Sequence, residues 1–310
     1  MGPWTSGREW AIVLAGGDGT RLQELTREIT GAPIPKQYCR ILGKRSMLET
    51  TLQRTQYYAP LDYTLVVINS NHIGIARDQL RRVPAANVLT QPCNRDTGPG
   101  LLFALMALTH RDPAALVSVF PSDHYVGDEQ TFVEHVRHAA DIVRQRPSKI
   151  ALLGIRPDRA EPGFGYILPA GRLARAPGDG VAFHVSSFCE KPSIEVARDL
   201  LYQGGLWNSF VMVFQVRRML ELLRTMMPVE FRQLWAVHTD PVAVADIYRG
   251  LQPWNFSRDF LAHIPQHLLV LPVDDVHWSD WGTRAAIERT LRRLTQAVPW
   301  GTPHAVVGAL

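Results

Sequence analysis

Short apolar segments alternate with longer segments of helical period over the first half of this chain of 310 residues. The apolar segments are rich in β-branched residues and occur at 9–16, 63–70, 87–92, 115–122 and 149–155. Apolar side chains recur at helical spacing over 46–58, 98–110 and 130–145. Parallel strands need long crossover connections, so strands that alternate with helices are typical of a mostly parallel sheet covered by helices. The pattern therefore predicts an α/β fold.

The pattern changes after about residue 155. Residues 157–192 are rich in Gly and Pro and carry β-like runs, which predicts an antiparallel insertion over the sheet rather than another strand-helix unit. Helices at about 193–203 and 216–236, a strand at 267–273 and a closing helix from about Thr283 to Ala297 are expected to follow. We predict a single domain over 8–298, composed of 8–155 and 156–298, with loose tails at 1–7 and 299–310.

Charge and cysteine content exclude several classes of protein. The net charge of +4 is diffuse, which argues against a nucleic-acid partner and mildly favours anionic ligands. Cys39, Cys93 and Cys189 lie far apart without a CxxC pair, which disfavours a disulfide framework or a zinc site. No segment approaches the roughly 20 apolar residues that a membrane span requires, and the N-terminus lacks the apolar core of a signal peptide. We expect a cytoplasmic protein without a membrane partner.

The stretch VLAGGDGTRL at 13–22 indicates a phosphate-binding loop. It lacks the Lys-Ser or Lys-Thr of a Walker A loop, and Leu22 stands where a dinucleotide fingerprint needs a third glycine. Gly16, Gly17 and Gly19 would let backbone N–H groups approach a phosphate, and the Arg21 guanidinium would add further donors. A tight turn is the structural alternative.

Two charged residues downstream fit the same chemistry. Lys36 follows Pro33 and Pro35, and it is either a surface lysine or, with the glycine loop, a charge that reaches a polyphosphate. Asp123 directly follows a β-branched run, which places it at the carboxyl end of a strand, where open α/β sheets bind ligands. A carboxylate there suits Mg²⁺, although a turn or a helix cap is the alternative.

The chain resembles the sugar-1-phosphate nucleotidylyltransferases over nearly its whole length, beginning with LAGGDGTRL followed by PKQY. Further segments resemble motifs of the mannose-1-phosphate guanylyltransferases within that family: QPCNRDTGPG at 91–100, FPSDHYV at 120–126, GFGYI at 163–167, FCEKP at 188–192, LWNSFVMVF at 206–214 and WSDWGT at 278–283. Each motif alone is weak, but together and in this order they are specific.

The resemblance implies a nucleotide-diphospho-sugar transferase fold, a Rossmann-like, mostly parallel mixed sheet flanked by helices with an antiparallel sugar-binding insertion. Residues 8–155 would be the nucleotide-binding half and 156–298 the sugar-phosphate-binding half. The implied reaction uses GTP, α-D-mannose 1-phosphate and Mg²⁺ to give GDP-mannose and pyrophosphate. We expect a core-only form, without the β-helix or cupin-type domain that longer relatives append, and a homodimer remains open.

The resemblance also implies site residues. Those expected to be catalytic are Arg21, Lys36, Asp123 and Lys191. Those expected to bind the nucleotide are Leu14, Ala15, Gly16, Gly17, Gly19, Thr20, Gln91, Asn94 and Thr97. Those expected to bind the sugar phosphate are Gly165, Glu190, Lys191 and Asn208, and those expected to hold the metal are Asp123 and Asp280.

The implied roles differ between these residues. Arg21 and Lys36 would steady the β- and γ-phosphates, whereas Lys191 would meet the sugar phosphate. Glu190 and Asn208 would bind sugar hydroxyls, while Gly165 would let the backbone approach the ring. Structural alternatives are an ion pair between Lys191 and Glu190 and a bond from Asn208 to buried backbone.

Three positions depart from the family pattern. Asp96 replaces the usual Asn or Gly, and its charge would repel a triphosphate unless it faces away or meets a second metal. Gly98 and Gly100 replace the usual alanines.

The amide of Gln91 suits guanine but also other bases, so the assignment of guanine rests on resemblance alone. A transferase for another nucleotide and sugar phosphate, or a non-catalytic nucleotide-sugar sensor, are the alternative functions.

Overall fold

A computed structural model describes residues 7–173, 181–237, 240–296 and 300. These residues form one sheet of nine strands. In chain order the strands are β1 Glu9–Ala15, β2 Thr64–Asn69, β3 Val88–Gln91, β4 Leu116–Pro121, β5 Ile150–Ile155, β6 Gly165–Arg172, β7 Phe183–Glu190, β8 Leu206–Gln215 and β9 Leu268–Val273. The sheet therefore contains strands from both predicted halves of the chain.

The strand order is β3-β2-β1-β4-β8-β5-β9-β7-β6. The pairs β1–β2, β2–β3, β1–β4 and β5–β9 are parallel, whereas β8 runs antiparallel to both β4 and β5. The chain runs outward from β1 through β2 to β3 and then returns to place β4 on the other side of β1. The order therefore reverses at β1, and the carboxyl ends of β1 and β4 border the crevice where such sheets bind ligands.

Helices cover both faces of the sheet. They are α1 Gln23–Thr30, α2 Met47–Thr55, α3 Ile73–Ala76, α4 Thr97–Arg111, α5 Glu129–Gln145, α6 Ile194–Tyr202, α7 Val216–Met226, α8 Pro228–Val237, α9 Pro241–Gly250 and α10 Arg284–Arg293. Successive side chains of a strand point to opposite faces. Accordingly, Val13 packs in a core with α2 and α5, while Ile12 packs in a second core with α4, α7 and α9.

A third apolar cluster joins the beginning and the end of the described chain. Leu25 of α1 and Ile287 of α10 lie in it together with Cys39 and Trp281. Trp281 is 2% exposed, and its indole Nε1 donates to the Thr290 hydroxyl at 3.0 Å. This packing holds the segment around Lys36 against the loop that carries Asp280.

The predicted α/β class and the mixed sheet are confirmed, but the expected position of the insertion is wrong. Strands β6 and β7 pair with each other and join the same sheet through β8 and β9, rather than lying over it. Unpaired backbone groups at the edge of β9 and β8 explain this, because adding strands satisfies them.

The expected helix at 216–236 is two helices. Pro228 begins α8, and proline disfavours a helical conformation at the residue before it, so α7 ends ahead of Met227. The predicted tails lie outside the described residues except Gly7 and Trp300. Trp300 is buried in the third cluster, and the Arg284 guanidinium lies 5.6 Å from its ring centre.

Candidate active site

A cleft of about 590 Å³ lies at the carboxyl ends of β1, β3 and β4. We call it the carboxyl-end cleft. The predicted site residues that line it are Leu14, Gly16, Gly17, Arg21, Gln91, Asn94, Thr97, Asp123, Glu190 and Lys191. A single cavity therefore joins residues assigned to the nucleotide with residues assigned to the sugar phosphate, from segments far apart in the sequence.

The glycine loop is tied down through its carbonyl oxygens. Gln37 Nε2 donates to the carbonyls of Ala15 and Gly17 at 3.1 and 2.7 Å, and the Tyr38 hydroxyl donates to Ala15 at 2.8 Å. Within the described residues, the amide groups of Gly17 and Gly19 have no acceptor. The loop is thus rigid on its carbonyl side and keeps donors free, as an anion-binding loop requires.

Gly19 serves a second purpose in this loop. Its φ is 60°, and a Cβ there would lie 3.0 Å from the amide nitrogen of Lys36. Glycine tolerates this left-handed conformation and the close approach. Thr20, also predicted, is exposed and begins a short 3₁₀ helix, Thr20–Leu22, which carries Arg21.

Arg21 is exposed at the cleft, and no carboxylate of the described residues lies within ion-pair distance of it. Its five guanidinium donors are therefore not used by a neighbouring acid. A cation held at a cavity without a protein counter-ion is suited to an anionic ligand.

Lys36 is placed differently from the expectation. It is 5% exposed, and its Nζ donates to the carbonyl oxygens of Asp280 at 2.6 Å and Trp281 at 2.9 Å. Nζ also lies 3.3 Å from Asp123 Oδ2. An ammonium has three donors, and these three oxygens match them. In this conformation Lys36 connects the two predicted metal-binding segments rather than extending into the cleft.

Asp123 offers a carboxylate at the cleft with 42% of its side chain exposed. Burial works to raise the pKa of this carboxyl, but the Coulombic effects of Lys36 and His124, with the Lys36 hydrogen bond, hold the pKa below its ordinary value. Burial lowers the pKa of His124, whose ring packs edge-on against Trp278 at 5.1 Å. Asp123 is therefore ionised at neutral pH.

Asp280 lies in the loop before α10. Its Oδ1 accepts from the amide of Gly282 at 2.9 Å, and a Cβ at Gly282 would overlap Oδ2. Asp280 is not among the lining residues of the cleft, and the described chain has no group of three or more His, Cys, Asp or Glu residues that could hold a metal. The carboxylates of Asp123 and Asp280 fit a hard divalent ion only if other oxygens complete its coordination.

Asn94 and Asp18 fasten the glycine loop to the β3–α4 connection. Asn94 Nδ2 donates to Asp18 Oδ2 at 2.9 Å, and Asn94 Oδ1 accepts from the amide of Asp96 at 2.9 Å. His72 Nε2 lies 3.6 Å from Asp18 Oδ1, and burial lowers the pKa of His72 although Asp18 opposes this. The Asn94 amide, which was expected to bind the nucleotide, thus connects two loops through hydrogen bonds.

Asp96 lines the cleft, but its carboxylate is used locally. Its Oδ1 accepts from the amide and the hydroxyl of Thr97, at 2.6 and 3.1 Å, and from Asn255 Nδ2 at 3.2 Å. Asp96 has a φ of 67° and begins α4 as its cap. The departure from the family pattern is therefore a helix cap, which three donors stabilise.

Glu190 and Lys191 lie together at the end of β7. Lys191 Nζ is 3.1 Å from Glu190 Oε1, so the ion pair considered as a structural alternative is present. The Lys191 side chain is 56% exposed, whereas that of Glu190 is 13% exposed. A Cβ at Gly165 would lie 2.5 Å from Glu190 Oε2. Gly165 therefore makes room for the Glu190 carboxylate.

Asn208 uses its amide within the protein. Oδ1 accepts from the amide of Phe210 at 3.0 Å, and Nδ2 donates to the Ser257 hydroxyl at 3.2 Å. Phe210 has a φ of 59°, so the Asn208 oxygen supports a strained irregularity within β8 next to the cleft. Ser257, rather than Asn208, lines the cavity.

Sequence reasoning missed several lining residues. They include Gln37, Phe210, Pro253, Asn255 and Ser257. Asn255 caps the turn of π-helix at Phe256–Phe260 by accepting from the amides of Ser257 and Arg258. An Asn before an apolar helical run is a recognisable cap signal, but nothing in the sequence directs it to this cleft.

Two further observations concern the rest of the molecule. A larger groove of about 720 Å³ lies between α4, α7 and α8, is lined by both apolar and charged side chains, and contains none of the predicted site residues. No helix in the described part of the chain is long and apolar enough to cross a bilayer.

Comparison with known proteins shows the family of this chain. The sequence family described as Nucleotidyl transferase matches residues 10–297. Mannose-1-phosphate guanylyltransferase ManC of Salmonella typhimurium is 34% identical over 287 residues, which cover 91% of this chain and 54% of the relative. Mannose-1-phosphate guanylyltransferase 2 of Escherichia coli O157:H7 is 32% identical over 289 residues, which cover 88% of this chain and 58% of the relative. The chain thus spans about half the length of these curated relatives.

Among solved structures, mannose-1-phosphate geranyltransferase from Thermus thermophilus is similar, with a TM-score of 0.79 and 28% identity. The match covers 91% of this chain and 79% of that one.

Proposed function

The chain belongs to the nucleotidyl transferase family, and from that premise we propose that it transfers the guanylyl group of GTP to α-D-mannose 1-phosphate, giving GDP-mannose and pyrophosphate. A phosphate oxygen of the sugar attacks the α-phosphorus of GTP in line, and pyrophosphate leaves. The substrate supplies the nucleophile, so no Ser or Cys is needed. The names of the similar proteins support the choice of GTP and mannose 1-phosphate.

One observation carries the proposal: the carboxyl-end cleft is lined both by the glycine loop with Arg21 and by the Glu190–Lys191 pair. Phosphoryl transfer depends mainly on positioning and on neutralising charge. A cavity that holds both sets of groups can gather two polyanions that repel each other. A nucleotide-sugar sensor could use both sets for binding, but it would have little need of metal-binding carboxylates together with cations for a leaving group.

Each group has a distinct task in this proposal. The free amides of Gly17 and Gly19, together with Arg21, bind the β- and γ-phosphates and the leaving pyrophosphate. Lys191 exchanges its partner Glu190 for the sugar phosphate, which frees the Glu190 carboxylate to accept from sugar hydroxyls. Lys36 acts through Asp123 and Asp280, because its donors are used by these two segments.

Asp123 and Asp280 would hold Mg²⁺. The donor set supports this, since both are carboxylates and hard divalent ions prefer oxygen ligands. Nucleotidyltransferases of this family generally use a divalent metal. When bound, the ion would supply charge neutralisation for the phosphates. Lys36 keeps the Asp123 carboxylate ionised and therefore ready to bind a cation.

The test is pyrophosphate release by the purified protein with Mg²⁺, using the common nucleoside triphosphates against mannose 1-phosphate and glucose 1-phosphate. Release that requires both GTP and mannose 1-phosphate supports the proposal. A different preferred pair would retain the chemistry but change the substrates. Tight GTP binding without release from any pair would contradict catalysis and favour the sensor.

A further inference from the structure

The Gln91 side chain is held from two sides at the carboxyl end of β3. Its Nε2 donates to the carbonyl oxygen of Gly16 at 3.3 Å, and the Tyr248 hydroxyl of α9 donates to its Oε1 at 2.9 Å. Gln91 is 3% exposed and Tyr248 is fully buried, so water does not compete for these bonds. The amide is therefore fixed before any ligand binds.

The two partners permit only one orientation of this amide. A main-chain carbonyl can only accept, so the amide atom beside Gly16 must be the nitrogen. Burial raises the pKa of Tyr248, so its hydroxyl stays protonated and can donate to Oε1. A flipped amide would bring Oε1 against the Gly16 carbonyl, with two acceptors in contact and no hydrogen between them.

Two glycines make room for this arrangement. A Cβ at Gly16 would overlap Nε2, and a Cβ at Gly100 would lie 2.9 Å from Oε1 and 3.9 Å from the Tyr248 hydroxyl. Gly100 is one of the departures from the family pattern. With alanine there, the oxygen of Gln91 would have to shift from this position.

The orientation of the Gln91 amide decides which of its polar atoms is available to a ligand in the cleft. Nε2 carries two hydrogens, and Gly16 accepts only one of them. The oxygen is engaged on the side of Tyr248, which does not line the cavity, whereas Gln91 does. The remaining polar group of Gln91 available to a ligand is thus a donor.

We propose that Tyr248 is a positioning residue for base selection: the Gly16 carbonyl excludes the flipped amide, and the bond from Tyr248 to Oε1 holds Gln91 so that Nε2 donates to a base carbonyl and disfavours a base amine at the same position. Guanine O6 and the O4 of uracil or thymine are acceptors, whereas adenine N6 and cytosine N4 are donors. The inference rests on the proposed function, since it requires a nucleotide in this cleft.

The test compares the natural protein with Tyr248→Phe, which removes only the hydroxyl. The matched control is Tyr58→Phe, a buried tyrosine in the core on the other face of the sheet. The probes are the common triphosphates GTP, ATP, CTP, UTP and dTTP, together with ITP and 2-aminopurine riboside triphosphate. Compared with GTP, ITP keeps the 6-carbonyl and lacks the 2-amino group. The 2-aminopurine nucleotide keeps the 2-amino group and lacks the 6-carbonyl. The readouts are kcat/KM from pyrophosphate release and Kd from titration calorimetry, which needs no turnover.

The natural protein is expected to use GTP and ITP and to discriminate against ATP, CTP and 2-aminopurine riboside triphosphate. In Tyr248→Phe the ratio of kcat/KM for ITP to that for 2-aminopurine should fall about tenfold or more, which corresponds to ~1.4 kcal/mol. General damage to the fold would lower both values together and leave the ratio unchanged. An unchanged ratio in Tyr248→Phe, or preference of the natural protein for ATP or CTP, overturns the inference.

Failure of the proposed guanylyl transfer gives a result that differs from failure of the inference about Tyr248. If no pair of substrates releases pyrophosphate, the Kd values still report the preference and its dependence on Tyr248. Preference for UTP or dTTP would refute guanylyl transfer but support the selection of carbonyl bases.

Discussion

The Lys36 ammonium lies 3.3 Å from Asp123 Oδ2 while donating to the Asp280 carbonyl at 2.6 Å. One buried cation thereby joins the end of β4 to the loop before α10, two segments far apart in the sequence. The sequence predicts that Lys36 reaches the phosphates, and this role stays a prediction; in the structure the Lys36 ammonium contacts two carboxylate-bearing segments.

Lys36→Met is expected to raise the pKa of Asp123 and to reduce turnover by about two orders of magnitude, by analogy with the loss of one preorganised group. Without the ammonium, the effect of burial remains, and burial raises the pKa of a carboxyl. The measurement is the ¹³C chemical shift of the Asp123 carboxyl as a function of pH. An unchanged pKa would contradict the assigned role of Lys36.

The same pair predicts how stability depends on pH. A carboxyl whose pKa is depressed in the folded state stabilises the fold above its unfolded pKa of about 4, and this stability is lost as the pH falls through the folded pKa. Acid unfolding followed by circular dichroism should therefore show a smaller loss of stability below pH ~4 in Lys36→Met. Equal losses in both proteins would show that the pair does not contribute.

Asp123→Asn should reduce turnover by about two orders of magnitude while leaving GTP binding measurable. The uncharged amide cannot neutralise a metal ion and loses its ion pair with Lys36. Asp128→Asn is the matched control, because Asp128 caps α5 and Asn caps equally well. Similar kcat values for Asp123→Asn and the natural protein would exclude Asp123 from the mechanism.

Lys191→Ala should raise KM for mannose 1-phosphate by roughly tenfold or more, consistent with the loss of a charged contact. The Kd for GTP should remain nearly unchanged. Lys44→Ala removes an exposed lysine outside the cleft and serves as the control. A loss confined to GTP binding would show that the two sets of cations were assigned the wrong way round.

Gly98→Ala should destabilise the fold by about 1–3 kcal/mol, because the added Cβ would overlap the ring of Trp254 in a packed core. Gly74→Ala is the control, since nothing lies within 4 Å of a Cβ there. Urea unfolding would give both free energies of unfolding. A Gly98→Ala protein as stable as the control would mean that Trp254 moves away without cost.

The sequence predicted the fold well because its main signals are periodic. The apolar runs at β1 and β4 specify buried strands, and their alternation with helices specifies a mostly parallel sheet. The place of β6 and β7 was not predictable, because joining the sheet depends on the free edges of β8 and β9, which only the assembled fold creates.

The sequence predicted which residues lie at or beside the cleft better than it predicted what each of them contacts there. The motifs identified Gln91, Asn94 and Lys36, and the structure places them at or beside one cleft. Their hydrogen-bond partners come from distant segments, such as Tyr248 for Gln91 and Trp281 for Lys36. Such partners determine what a side chain can offer a ligand, and no local sequence pattern reveals them. The roles of the site residues therefore remain predictions.

The central claim is that a phosphate oxygen of mannose 1-phosphate becomes the bridge to the α-phosphorus of GTP while pyrophosphate leaves, and isotope labelling tests it most directly. Mannose 1-phosphate labelled with ¹⁸O on its non-bridging phosphate oxygens would be incubated with GTP, Mg²⁺ and the protein, and the products analysed by mass spectrometry and ³¹P NMR. We predict GDP-mannose that carries all of the label, including the oxygen bridging the two phosphates, and unlabelled pyrophosphate. Label in pyrophosphate, or release of pyrophosphate without GDP-mannose, would contradict the account.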